Sequence, residues 1–154
     1  MVVRQKNAEL AKVAYGGNYD QIMEAPVTIA LFTDTDLQRR ARKIARVGGV
    51  KNFTEEQLQY FMQNLPAEYA RYNEQQISDY LALNAGLVAM NLVLALTDQG
   101  IGSNIILGFD KSKVNEVLEI EERFRPELLI TVGYAAEKVE PSYRLPVDEI
   151  IEKR

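Results

Sequence analysis

From Gly100 to Gly108 the chain reads Gly-Ile-Gly-Ser-Asn-Ile-Ile-Leu-Gly. Glycines so placed let a backbone approach a flat ring closely, and the apolar side chains between them offer a cover for a ring face. A main-chain amide aimed at the edge of a redox ring can tune it without any titrating side chain. The same residues are also those of a tight helix-to-strand turn followed by a buried strand. A second chemical candidate is the basic stretch Arg39, Arg40, Arg42, Lys43 and Arg46, which could receive a nucleotide phosphate or simply be a solvated helix face.

Absences narrow the chemistry further. The chain has no histidine and no cysteine, which removes Ser-His-Asp and Cys-His catalysis along with imidazole and thiolate metal sites. No carboxylate pair has spacing that demands acid/base chemistry, and solvation accounts for Glu116, Glu119, Glu121 and Glu122. A cofactor or carboxylates must therefore carry any reaction. A net charge of -4 lacks the dominant basic face that phosphate backbones require, so nucleic acid is not an expected partner. The N-terminal apolar run is too short for a signal peptide, and a cytoplasmic protein is expected. Tyr80 to Leu96 is free of charge but includes Asn84 and Asn91 and falls short of the roughly 20 apolar residues that a membrane span needs. A buried core helix, with no membrane, is the expected reading.

Positioning such residues requires a scaffold, and 154 residues suffice for one domain with its own core. Val2 and Val3 read as the end of a strand, Glu9 to Tyr15 as a helix stopped by Gly16-Gly17, and Tyr19 to Glu24 as a short helix closed by Pro26. Val27 to Thr33 is a β-branched apolar run that predicts a central strand covered on both faces. Asp36 caps a helix through about Val47, broken by Gly48-Gly49. Thr54-Glu-Glu-Gln57 has the capping-box pattern for a helix to about Asn64, and Pro66 sits in the first turn of another. The main helix is predicted from about Gln75 to Asp98 with Gly100 as its C-terminal stop. Ser103 to Leu107 predicts a strand, Lys111 to Leu118 a helix, and Glu127 to Tyr134 a strand. Helices wrapping a small sheet, without strict alternation of single helices and strands, give an α+β class.

The order of these parts carries a resemblance. A long uncharged helix empties into Asp98-Gln-Gly-Ile-Gly-Ser-Asn-Ile-Ile-Leu-Gly-Phe-Asp110, and a later strand leads to Pro141-Ser-Tyr-Arg-Leu-Pro146. From Val2 to Ile151 this resembles the FMN-dependent nitroreductase family. The resemblance implies a small, mostly antiparallel sheet wrapped by helices around one long buried central helix. It also implies that Ile106, Leu107 and Gly108 meet the flavin ring through their backbone. Several members carry Glu where this chain has Leu107.

Asn18 and Gln21 match the family's Asn-x-x-Gln or Asn-x-x-Lys, whose amides suit the N3, O2 and O4 rim of a flavin because each both donates and accepts. Read without the resemblance, Asn18 after Gly17 is equally a helix cap. Gln21 in place of Lys withholds a positive charge where negative charge gathers on flavin reduction. The resemblance assigns the flavin phosphate to Arg144, whose forked donors suit it, with Ser142 standing where some members have a second cation. Phe61, Tyr69 and Tyr72 fall where the family places a lid over the substrate channel, although aromatic residues at such spacing are more often core or subunit-interface residues.

Family members usually open with a further helical layer bearing Arg-x-Ser-x-Arg and Pro-Ser-x-x-Asn, and neither motif occurs in this sequence. The expected function is an FMN-dependent oxidoreductase, in which NADH or NADPH reduces the flavin and a nitroaromatic, quinone or similar small-molecule acceptor reoxidises it. A homodimer built on the long helix is implied. The rival is a non-catalytic protein of the same fold, either N-terminally short or a module that binds a small ligand without turnover.

Overall fold

Two β-rich apolar runs form the middle of one sheet. In the computed structural model, which describes residues 1–3, 6–41, 43, 54–137 and 143–152, β1 (Val2–Val3), β2 (Val27–Asp34), β3 (Gly102–Ile106) and β4 (Phe124–Gly133) pair in the order β1-β2-β4-β3. Every pairing is antiparallel. Because side chains alternate across a strand, β4 feeds two cores. Leu129 joins Val3, Leu10, Ile22, Ala30, Ile106 and Val114 on one face, and Leu128 and Ile130 meet Ala89 on the other. Helices α1 (Asn7–Ala11) and α2 (Asn18–Glu24) contribute to the first face. So does α5 (Lys111–Leu118), while α3 (Glu55–Tyr69) precedes the long α4 (Glu74–Asp98) on the second. The α+β arrangement expected from the sequence is present.

The ends of α4 are fixed by local chemistry. Asn73 accepts from the Gln76 N–H while Gln76 accepts from the Asn73 N–H, both at 2.9 Å, a reciprocal cap. At the other end Gly100 has φ +70, and the N–H groups of Gly100 and Ile101 donate to Thr97 and Leu96 carbonyls, each at 2.9 Å. That left-handed stop favours glycine. The buried helix expected from the sequence holds for one stripe, Leu81, Ala85 and Ala89, whereas Leu83 and Leu87 are each 65% exposed. By length and composition α4 could also cross a membrane, so the expected shortfall, drawn from Tyr80 to Leu96 alone, does not hold for the full 25 residues.

Three further bounds differ from expectation for physical reasons. Helix α1 ends at Ala11 rather than Tyr15 because Ala14 is bridged to Phe109. Pro66 lies inside α3 instead of starting a new helix; a proline withholds a single N–H, and the flanking turns hold the run together. Strand β4 begins at Phe124, ahead of Glu127, because pairing with β2 overrides Pro126, with a register shift between Leu31 and Phe32. Residues 37–41 are helical as predicted; Arg42, Arg46, Val47 and Gly48-Gly49 lie outside the described residues.

The register shift turns Glu127 inward, where it is 6% exposed. Its carboxylate accepts from the Thr33 hydroxyl and, at 2.7 Å, from Arg125 Nε, with Lys111 Nζ 3.9 Å away. Arg125 also donates to Ser78 Oγ and Ser78 O at 2.9 and 3.1 Å, tying the irregular strand to α4. A buried charge is tolerated when it is paired and bonded in this way. Replacing it, Glu127→Ala, strands Arg125 and should lower the unfolding free energy by about 3 kcal/mol. Urea denaturation measures this, and a loss below about 1 kcal/mol, the scale of an exposed pair, would contradict the reading.

Candidate functional site

The end of β3 is fastened to the beginning of the chain. Ile106 is buried, and after Leu107 the Gly108 carbonyl accepts from the Tyr15 N–H at 2.9 Å and from Asn18 Nδ2 at 3.0 Å. Two residues on, the Asp110 N–H donates to the Val13 carbonyl at 2.7 Å. Phe109, 3% exposed, anchors the turn in the core. A Cβ at Gly108 would stand 2.6 Å from Asn18 Nδ2, so only glycine lets the amide approach. Asp110 caps α5 by accepting from the Ser112 N–H at 3.1 Å and the Ser112 hydroxyl at 2.6 Å. The Ser112 hydroxyl bond, with Lys113 nearby, holds the Asp110 carboxyl below the usual carboxylate range.

Asn18 is the first residue of α2 rather than its cap, since Gly17 holds the cap position and no side chain bonds there. With Nδ2 spent on Gly108, the Asn18 Oδ1 has no partner among the described residues. One turn along α2, exposed Gln21 accepts from Asn104 Nδ2 of β3 at 2.6 Å, leaving its Nε2 as an unspent donor among those residues. Asn18 and Gln21 are three residues apart and share a helix face. The structure thus brings Asn18, Gln21, Ile106, Leu107 and Gly108 together and adds Asn104 and Tyr15. Beside them Leu107 is 66% exposed, an apolar surface next to a polar rim.

This donor set fits a flavin. The pyrimidine edge of FMN presents an N–H between carbonyl oxygens, and an acceptor beside a donor is the complement it needs. Such a rim needs no histidine, cysteine or metal.

Other candidates stand apart. Arg144 is exposed and its Nη1 donates to the neighbouring Tyr143 carbonyl at 2.8 Å; it makes no hydrogen bond or ion pair with the amide cluster among the described residues. Ser142 lies outside the described residues. Phe61 packs edge-on against Tyr60, with ring centroids 6.0 Å apart, along a groove that also includes Leu65 and Arg71. Tyr69 and Tyr72 join Tyr80 instead, at centroid distances of 5.5 to 6.1 Å. The Tyr69 and Tyr80 hydroxyls lie 2.9 Å apart. Burial, reinforced by that bond, pushes the Tyr69 phenol up to about 12, so it remains protonated at neutral pH. Tyr69 and Tyr80 line an open cleft of about 310 Å³ with Phe32, Leu37, Arg40 and Asn84. The three channel candidates therefore occupy two places, and only Tyr69 reaches a cleft with Arg40 of the basic stretch.

Sequence reasoning missed Asn104 and Tyr80. The signal for Asn104 was a lone amide among apolar strand residues. For Tyr80 it was a phenol in the first turns of the apolar helix.

Comparison with known proteins bears on the whole chain. The Nitroreductase family matches residues 2–134. A Streptococcus pyogenes relative provisionally named NAD(P)H nitroreductase Spy0809 is 60% identical over 154 residues, covering 100% of this chain and 76% of the relative. The crystal structure of a nitroreductase family protein from Streptococcus pneumoniae TIGR4 superposes with a TM-score of 0.94 at 86% identity, covering 100% of this chain and 77% of that one. A provisionally assigned nitroreductase from Exiguobacterium sibiricum 255-15, solved in complex with FMN, gives a TM-score of 0.89 at 25% identity, over 100% and 75% of the two chains. A family match across most of the sequence, a relative of this identity and the sheet and helix order already described lead to one conclusion: the chain belongs to the nitroreductase family of oxidoreductases.

Proposed function

We propose that this chain is an FMN-dependent oxidoreductase that takes its electrons from NADH or NADPH. The observation that carries the reading is the pair of amides beside Gly108, Asn18 with Nδ2 spent on the Gly108 carbonyl and Oδ1 left as an acceptor, and Gln21 one turn along the same helix face. The FMN held by the Exiguobacterium neighbour and the NAD(P)H in the name of the Streptococcus pyogenes relative support it. FMN, when bound, supplies hydride acceptance from the nicotinamide and onward electron transfer to a nitroaromatic, quinone or similar acceptor. In this reading Asn18 accepts from the pyrimidine N–H, Gln21 donates to the adjacent oxygen, and the Ile106–Gly108 backbone lies along the ring edge. Leu107 excludes water from one side of the ring. Arg144 holds the phosphate, with Ser142 beside it. Tyr69 and Tyr72, with Phe61 farther along α3, border the route of the acceptor.

The apolar stripe of α4, Leu83, Leu87, Val88, Met90 and Leu94, is exposed on the single chain. Patches of this kind mark an interface, and we assign it to a second copy in a cytoplasmic homodimer. Light scattering of purified protein without detergent should give a dimer; a monomer, or protein soluble only with detergent or lipid, would refute the assignment.

The phosphate role of Arg144 is tested by Arg144→Ala. Loss of a charge-assisted hydrogen bond, about 1.5 to 3 kcal/mol, should weaken FMN about ten-fold or more. Equal affinities in a flavin-fluorescence titration would remove Arg144 from the site.

Turnover tests the function itself. At saturating FMN the protein should oxidise NADH or NADPH when a quinone or nitroaromatic is present. Binding of FMN without nicotinamide oxidation would return the chain to the non-catalytic reading, and absence of FMN binding would end the flavin reading.

A further inference from the structure

We infer that Gly108 is a positioning residue for FMN, acting through Asn18: its carbonyl decides which end of the Asn18 amide faces a ligand, and its missing side chain leaves the amide room to stand there. The inference rests on the FMN reading above. A primary amide has nearly the same shape at both ends and opposite chemistry, so its sense must be imposed by a partner that cannot itself turn over. A backbone carbonyl is such a partner, because it only accepts. Gly108 O takes Asn18 Nδ2 at 3.0 Å, which leaves Oδ1 as the acceptor that a pyrimidine N–H needs. The carbonyl is held without help from Asn18. The Tyr15 N–H donates to it at 2.9 Å, the Asp110 N–H donates to Val13 O at 2.7 Å, and Phe109 between them is buried.

Glycine is called for at this place by the amide and not by the turn. Gly16 and Gly100 have positive φ, the conformation that favours glycine, whereas Gly108 does not. A Cβ at Gly108 would meet Asn18 Nδ2 at 2.6 Å and Asn18 Cγ at 3.9 Å, and, its chain neighbours aside, no other heavy atom within 4 Å among the described residues. The atoms in its way are the far end of a side chain on the first residue of α2. That side chain can swing aside about its own torsions while the helix and the turn stay where they are. An added methyl group therefore removes one oriented acceptor from the site and should leave the fold intact.

The test is Gly108→Ala, made in the parent chain and in Asn18→Ala. In the parent, FMN affinity read by flavin-fluorescence titration should fall roughly three- to ten-fold, the scale of one hydrogen bond. In the Asn18→Ala background, where there is no amide to displace, the same substitution should leave the affinity unchanged, a coupling that only a double-mutant cycle exposes. A second readout needs no flavin. In nitrogen-labelled, ligand-free protein the side-chain NH2 resonances of Asn18, identified by their absence from Asn18→Ala, should move in Gly108→Ala. Unchanged affinity, or Asn18 resonances that stay in place, would overturn the inference. So would an equal loss in both backgrounds, which would mean that the methyl group meets FMN itself. Failure of Gly108→Ala to fold, read by urea denaturation, would overturn it as well, because the added methyl would then disturb more than one amide. With FMN bound by the parent, each of these outcomes defeats this inference alone, whereas a parent that binds no FMN defeats it together with the FMN reading.

Discussion

One carbonyl oxygen, that of Gly108, sets the registration on which the site depends. It takes two donors, the Tyr15 N–H and Asn18 Nδ2, from a segment about ninety residues earlier in the chain, as the separation of 90 between Asn18 and Gly108 records. Each such bond contributes only about 1 kcal/mol net, but their geometry is exclusive. Because Tyr15 must face Gly108, α1 stops early. Because Asn18 must reach the same oxygen, it gives up the capping role that its position behind Gly17 suggests. The start of α2 is thereby fixed, and Gln21 arrives beside Asn104 as a result.

On the neighbouring strand β4, just before the Leu129 that pairs with Ile106, the hold is of a different kind. There the bulge that accommodates Pro126 turns Glu127 inward, and Arg125 links that carboxylate to Ser78 of α4. A proline deprives a strand of one ladder donor, and the local irregularity is where strands tolerate it. This end of the β3–β4 pair is thus held by two unlike means, a carbonyl shared by neutral donors after β3 and a buried ion pair on β4. The neutral contact leaves polar valences unspent, and the ionic one has its carboxylate enclosed by partners.

Much of this was legible in the sequence wherever the signal was local. Lys111–Leu118 matches its predicted bounds because Asp110 starts it and Glu119, at φ 56, ends it within the reach of neighbouring residues. The runs at Val27 and Leu128 announced strands through β-branched and apolar content. Signals that depend on distant partners were not legible: the early start of β4 comes from pairing with β2, and the side-chain contact of Gln21 is with an amide 83 residues away. The candidate site follows the same division. Asn18, Gln21 and Gly108 were singled out and lie together, but nothing in the spacing of their letters could say which atom of each amide would remain unspent. Arg144 was singled out too, and in the single chain it bonds only to its neighbour's carbonyl among the described residues.

The long helix has a consequence of another kind. Capped at both ends and 25 residues long, α4 is a rod of about 37 Å with an outer apolar stripe that water penalises at about 25 cal/mol per Å². A partner that covers this stripe binds only the folded chain, and such binding adds to stability by mass action. Where the partner is a second copy, the resistance of the fold to unfolding rises with the amount of protein present. Dilution then joins heat and denaturant as a way to loosen it.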